Sequence, residues 1–261
     1  MKGPRSLRAL QPNAGLQAAY RRKLLKMIDE MIASYERWVI AAYRKNPPST
    51  MAMDRGFDDL RKAIEKLGKR WTKEFEKMAW NLGEWFAISI DKRNHNALRK
   101  ILKEGGWTVQ YQRTRKMNEV MTAIVSENVS LIKTIPQQFH GKIEPMVMNS
   151  VAAGRNIGAL RKELQSTFKV TRKRADLIAR DQNNKATNQL ARVRYMGMDL
   201  KEAIWMHSHA GKTPRPTHLA NHGKKFDLLT GWFDPHERKW ILPGYLINCR
   251  CTMRPVVKGF T

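Results

Sequence analysis

Residues 205–255 read WMHSHAGKTPRPTHLANHGKKFDLLTGWFDPHERKWILPGYLINCRCTMRP. This stretch holds five of the seven histidines, both cysteines, three of the eight tryptophans and five of the eleven prolines, so any chemistry beyond packing concentrates here. Helical periodicity stops just before it. From Lys201 onward Pro, Gly, His and aromatic residues dominate, and Ala203-Ile204-Trp205-Met206 and Cys251-Thr252-Met253 read as short strands able to pair. Everything upstream keeps a helical period, which sets the fold class as α+β: a mostly α-helical N-terminal region followed by a small C-terminal module of helix, short antiparallel sheet and long loops.

The nearest upstream segment begins at Thr171, a plausible N-cap after a short helix from Leu160 to Phe168. Ala175, Ile178, Ala179, Ala186, Leu190 and Val193 form its buried stripe, and Gly197 is placed to end it. The opposite face carries Arg172, Lys173, Arg174, Arg180, Lys185, Arg192 and Arg194 against only Asp176 and Asp181. Such a face suits either phosphates or solvent.

Farther out, Leu24, Ile28, Met31, Ile32, Tyr35, Val39 and Ala42 predict a helix over Leu16 to Tyr43, ended by Asn46-Pro47-Pro48. Leu60, Ile64, Leu67, Trp71, Phe75, Met78, Leu82 and Trp85 form a second seam. It continues through Leu98 and Leu102 to Gly105-Gly106, with a break expected near Asp91 to Asn96. Trp71, Phe75 and Trp85 on that seam are expected to stay partly exposed and to serve as interface anchors. Met117, Met121, Ile124, Asn128, Leu131 and Ile135 predict a helix up to Pro136, and Phe139, Ile143 and Val147 another beyond it. The domain boundary falls near residue 150, dividing a helical region 1–149 from a module 150–261.

The 261 residues carry 49 Lys and Arg against 23 Asp and Glu, a formal net charge of +26. The excess is spread along the chain rather than held in a tail, since residues 1–45 carry 10 basic against 3 acidic residues and residues 201–261 carry 10 against 4. A chain this basic adheres to polyanions, and nucleic acid bound without sequence preference is the first partner expected. The basic N-terminus has no apolar core, and no run of eighteen apolar residues occurs, so a soluble, unexported protein with no membrane partner is expected.

Both cysteines sit as Cys249-Arg250-Cys251, too close for an unstrained disulfide. In extended backbone their sulfurs point the same way and converge on one point. Two readings stand. One is a structural zinc site, with His218 as third ligand and His207, His209 or His222 as the fourth. The other is a pair of buried thiols beside hydrogen-bonded histidines. The run Arg215-Pro216-Thr217-His218 also reads two ways. Arg215 pairs with a carboxylate or a carbonyl while His218 donates to the backbone; or His207 or His209 joins His218 as acid and base for phosphodiester cleavage, with Arg215 holding the phosphate. P-loop, H-E-x-x-H, nucleophile-elbow and dinucleotide motifs are missing, and Asp227 and Asp234 are too scattered for a two-metal carboxylate site.

Arg215 and His218, followed about thirty residues later by Asn248-Cys249-Arg250-Cys251 and Pro255, resemble the C-terminal domain of the phage Mu F-like minor head proteins, the phage head morphogenesis family. The resemblance reaches upstream through Arg174, Leu177, Ile178, Ala179, Arg180, Gly197 and Trp205, covering about residues 150–257. The family often shows an Asp four residues before the Arg, where this chain has Gly211 and then Lys212. What the resemblance implies is a minor head structural protein of a tailed phage, acting in head morphogenesis and DNA packaging or delivery. It would be assembled in the host cytoplasm and carried in the virion, in the head interior or at the portal vertex. Its partners would be portal or capsid proteins, met through residues 1–149, and DNA. It would not be an enzyme. The alternative is a nuclease or toxin-like enzyme working on nucleic acid through the C-terminal His and Arg cluster.

Overall fold

A computed structural model describes residues 6–45, 53–108, 112–153, 157–210 and 213–257. Four long helices come first: α1 (Ala14–Lys45), α2 (Met53–Glu104), α3 (Arg115–Ala152) and α4 (Ile157–Gly197). The C-terminal part adds β1 (Glu202–Met206), α5 (Pro216–Ala220), β2 (Lys225–Asp227), β3 (Trp232–Asp234), β4 (Lys239–Ile241) and β5 (Thr252–Pro255). The α+β class is as the change of periodicity foretold. Among the described residues no helix is long and apolar enough to cross a membrane.

Helix starts follow local chemistry. Asn13 Oδ1 accepts the Leu16 N–H at 2.8 Å at the head of α1, and Thr114 Oγ1 accepts the Met117 N–H at 3.2 Å at the head of α3. The ends of α2 and α4 at Glu104 and Gly197 fall where the glycines place them, and Gly106 adopts φ +86°. The proposed stop at Asn46-Pro47-Pro48 lies outside the described residues, as do Gly211 and Lys212.

Three expected interruptions do not occur. Helix α2 runs unbroken past Asp91 to Asn96, because Asp91 and Asn94 bond to a buried arginine instead of ending the helix. Helix α3 contains both Pro136 and Pro145. Each proline removes one backbone N–H, a local loss offset by burial of Ile135, Phe139, Ile143 and Val147 on the same helix. Thr171 does not cap a new helix; its hydroxyl donates to Thr167 O at 2.9 Å inside a continuous α4.

The chain groups into two compact units that do not follow a single cut near residue 150. One comprises Ala19–Gly83 and Ser126–Ile178 and is wholly helical. Its core is the seam read from the sequence: Leu24, Ile28, Met31 and Tyr35 with Leu60, Ile64, Leu67 and Phe75, and Phe139 with Phe168. The Phe139 ring meets Tyr35 edge-on at 5.0 Å and stacks on Phe168 at 5.9 Å. Gly68 is required here, since a Cβ at that position would lie 2.7 Å from the His140 ring. Trp71 and Phe75 are buried in this core, so they are not the exposed anchors expected of them. Among the described residues of this unit, the exposed large hydrophobic side chains are Trp38, Met78, Trp80 and Val170.

The other unit comprises Met1–Ala18, Glu84–Val125 and Ala179–Thr261. In it β1 is the centre of a three-stranded antiparallel sheet of order β2-β1-β5, with Trp205 opposite Met253 and Ala203 opposite both Phe226 and Pro255. Strands β3 and β4 form a separate hairpin. The sheet buries Ala203, Trp205 and Met253 against Leu98, Ile101 and Leu102 of α2 and Ala191 and Tyr195 of α4. A length of α2 from the N-terminal half is therefore part of the core beneath the C-terminal strands.

Candidate functional site

Strand β1 alternates buried and half-buried residues, which turns Trp205 inward with no exposure. Its indole packs edge-on against Phe226 at 5.8 Å, Trp232 at 5.6 Å and the imidazole of His218 at 5.1 Å. His218 sits in the short helix α5, whose Pro216 occupies the first turn, where a missing N–H costs nothing. The chain then reaches Cys249 and Cys251 just before β5 through a turn closed by the Cys249 N–H on Leu246 O at 3.0 Å. Asn248 adopts φ 62°, a left-handed conformation that Asn tolerates better than most residues.

These elements bring two sulfurs to one ring nitrogen. His218 Nδ1 lies 3.5 Å from Cys249 Sγ and 3.7 Å from Cys251 Sγ. Both cysteines are free, and all three residues are buried. The Gly244 N–H donates to Cys249 Sγ at 3.3 Å. On the far side of the ring, His218 Nε2 stands 3.4 Å from Asp234 Oδ2, close but not aligned as a hydrogen bond. Asp234 has no exposure; its Oδ1 accepts the His236 N–H at 2.9 Å and its Oδ2 the Thr217 hydroxyl at 3.3 Å.

The electrostatics of the cysteines follow from sharing. Cys249 is pushed well below the usual thiol range, first by the hydrogen bond with Cys251 and then, against burial, by His218. Cys251 is pushed up by the same sharing and by burial, while the Trp205 side chain and the Ser208 backbone act the other way.

Helix α4 holds the cysteine turn from beneath through side-chain amides. Asn184 Nδ2 donates to Cys249 O at 2.6 Å, and Asn188 Nδ2 donates to Cys251 O at 3.1 Å. Spaced four apart, the two amides lie one turn above the other on one face. Gly244 (φ +78°) passes so close that a Cβ there would stand 2.7 Å from Asn188 Nδ2 and 2.9 Å from that of Asn184. The Asn248 N–H donates to Asp181 Oδ2 at 2.9 Å, and its side-chain oxygen accepts from Arg180.

The family model described as Phage Mu protein F like protein matches residues 141–254. That part of the chain is a Mu F-like region. An uncharacterized protein of Haemophilus influenzae is 26% identical over 245 residues, covering 91% of this chain and 52% of its own length. The chain thus spans about half the length of the curated relative it matches. No solved structure matches it.

Within the Mu F-like region the motif side chains are spent on internal contacts. Arg215 donates to Ile247 O at 3.1 Å and lies 3.7 Å from Glu237, the structural reading of that residue. Arg250 donates to Ala210 O at 2.6 Å. Pro255 pairs with Ala203 and accepts the Leu7 N–H at 3.2 Å. His218 does not donate to the backbone; it faces both sulfurs, as the reading that placed it beside the cysteines required, and a carboxylate that the sequence did not point to.

His207, His209 and His222 do not join the cysteines, and among the described residues only His218, Cys249 and Cys251 converge as metal-binding types. The other three gather separately, with ring centres 4.7 and 5.0 Å apart, and two of them accept backbone N–H groups through Nδ1. That leaves the acid and base reading without its pair, because His218 is buried and turned elsewhere.

The basic face of α4 divides. Arg194 is only 1% exposed and bonds to Asp91 Oδ1 at 2.5 Å and to Asn94, so it is not a phosphate contact. Arg192 donates to Leu228 O and Leu229 O, Arg180 is held at Asn248, and Lys185 lies over the Tyr245 ring at 5.0 Å. Arg172 pairs with Asp29 at 2.8 Å and Arg174 donates to Thr134 at 2.7 Å, leaving Lys173 turned to solvent. A helix whose far side packs on a second layer reads, in sequence, like one with a solvated cationic face.

Sequence reasoning missed Asp234, Asn184, Asn188 and the Arg194 pair. The one available signal was the Asn184 and Asn188 spacing inside an apolar stripe. Asp234 carried none, because its role depends on a turn that places it behind His218.

Proposed function

We propose that this protein is a structural component of a tailed-phage head, acting in head morphogenesis and in packaging or delivery of DNA near the portal. The Mu F-like match over residues 141–254 carries this reading. The motif residues make internal contacts that support this reading: Trp205 and Pro255 are buried in the sheet, half-buried Arg215 and Arg250 each donate to a backbone carbonyl, and exposed Asn248 accepts from Arg180. Residues 1–149 are the element we assign to docking on portal or capsid proteins, with exposed Trp38, Met78 and Trp80 as its contact side chains.

The DNA contact is non-specific and sits on the N-terminal part of α4, keeping only Lys173 of the face read from sequence. Arg161, Lys162, Lys169 and Lys173 are all exposed, and Arg161, Lys169 and Lys173 are separated by multiples of four, so they lie along one side. Arg161, Lys162 and Lys169 line a shallow groove of about 400 Å³ with Gln165 and Ser166. Cations and short hydroxyl or amide donors in one groove are what a phosphate backbone accepts.

Two measurements test this. Mass spectrometry of heads purified from the producing phage should find the chain, and its deletion should lower the yield of filled heads; absence from heads overturns the assignment. In gel retardation on mixed-sequence duplex, Lys169→Glu with Lys173→Glu should weaken binding to all sequences alike and flatten the salt dependence by about two units of logarithmic slope. Cleavage of DNA or RNA by the purified chain would favour the nuclease reading instead.

A further inference from the structure

We propose that His218, Cys249 and Cys251 form a binding site for a thiophilic divalent cation, zinc by its chemistry, held by three protein donors with water completing a tetrahedron. The donor atoms of the three residues all lie within 4.8 Å of one another. Zinc bonds of about 2.3 Å to sulfur and 2.0 to 2.1 Å to nitrogen, at tetrahedral angles, give nitrogen to sulfur edges of about 3.6 Å. The two edges here are 3.5 and 3.7 Å. Two sulfurs at nearly equal range from one ring nitrogen is the spacing that two thiolates and an imidazole adopt around one ion.

The surroundings are those of a ligand set. With Nδ1 on the metal, Nε2 carries the proton, and it faces Asp234 Oδ2 at 3.4 Å. A carboxylate behind a metal-bound imidazole fixes its tautomer and strengthens it as a donor. Asp234 is held rigidly for that purpose by the His236 N–H and the Thr217 hydroxyl, and it is fully buried, where an uncompensated carboxylate is costly. A cation one imidazole away supplies that compensation. The backbone N–H of Gly244 aims at the Cys249 sulfur, as donors around thiolate ligands do. Asn184 and Asn188 fix both cysteine carbonyls and so hold the sulfur spacing before any ion arrives.

Soft sulfur donors with one imidazole select zinc over magnesium or calcium. Bound there, the ion ties α5 and the turn before β5 into one unit. The inference is independent of any role in heads: a metal-free chain could still assemble, and a zinc protein could do something else.

Full-length chain purified from zinc-supplemented medium without chelator should carry one zinc, and exchange for Co(II) should give thiolate-to-cobalt charge-transfer bands with tetrahedral d–d bands. Cys249→Ser with Cys251→Ser should lose the ion. Because that variant also risks the fold, Asp234→Asn is the second arm: all ligands remain, and competition with a chromophoric chelator should show affinity reduced about 10- to 100-fold. A folded full-length chain with well under one equivalent of zinc, no cobalt–thiolate band and both thiols titrating freely would overturn the site. An Asp234→Asn affinity equal to the parent's would overturn the carboxylate's part in it.

Discussion

The two compact units are held together by different physics. The helical unit of Ala19–Gly83 and Ser126–Ile178 is closed by apolar seams, with buried polar contacts such as Tyr20 on Asn128 at 2.8 Å set into them. In the unit that carries the strands, β1 to β5 and α5 are only three to five residues long and rest on an apolar core shared with lengths of α2 and α4. Buried amides, a guanidinium, a carboxylate and the Cys and His trio do the specifying there. Removing carbon from the first leaves a void with a local cost; removing a polar partner from the second strands its mate in a dry interior, where the cost is set by what is left behind.

That contrast breaks most severely if the strand-bearing unit folds without its N-terminal contributors. A fragment of residues 150–261 lacks Leu98, Ile101 and Leu102 from the core and Asp91 and Asn94 from Arg194. It should show no cooperative thermal transition by circular dichroism, whereas one beginning before Glu84 and keeping the helices should; a sharp transition in the short fragment would mean that α2 only decorates the module. Next in size is Trp205→Ala, which removes an unexposed indole packed on three rings and should cost about 3 to 5 kcal/mol in urea unfolding.

Asn184→Ala should cost about 1 to 3 kcal/mol, since the Cys249 carbonyl loses its buried donor, and any bound zinc should weaken with it. A stability change without a change in metal affinity would separate the amide clamp from the ligand geometry. Trp38→Ala sits at the small end: with the side chain 54% exposed, unfolding should shift by about 0.5 kcal/mol or less, and its effect should appear instead as loss of incorporation into heads.

The sequence by itself determined where the chain is helical and which faces are buried, though not that α2, α3 and α4 are continuous, and it determined the paired strands around Trp205 and Met253 and the convergence of Cys249, Cys251 and His218. Each is written in spacing: a three-and-four period, an alternation, or two residues apart in extended chain. Where the reading failed, the information was not local. Asp91 and Asn94 look like a helix break until Arg194, a hundred residues away, is seen to bury itself against them. Arg180, Arg192 and Arg194 look like a phosphate-binding face until a second layer covers it, and Trp71 looks like an exposed anchor until the other helices close over it. A charged or aromatic side chain has the same letter whether it meets solvent, a carbonyl or a nucleic acid. Only the tertiary structure decides which, because burial and hydrogen-bond partners are supplied by segments the local pattern does not contain.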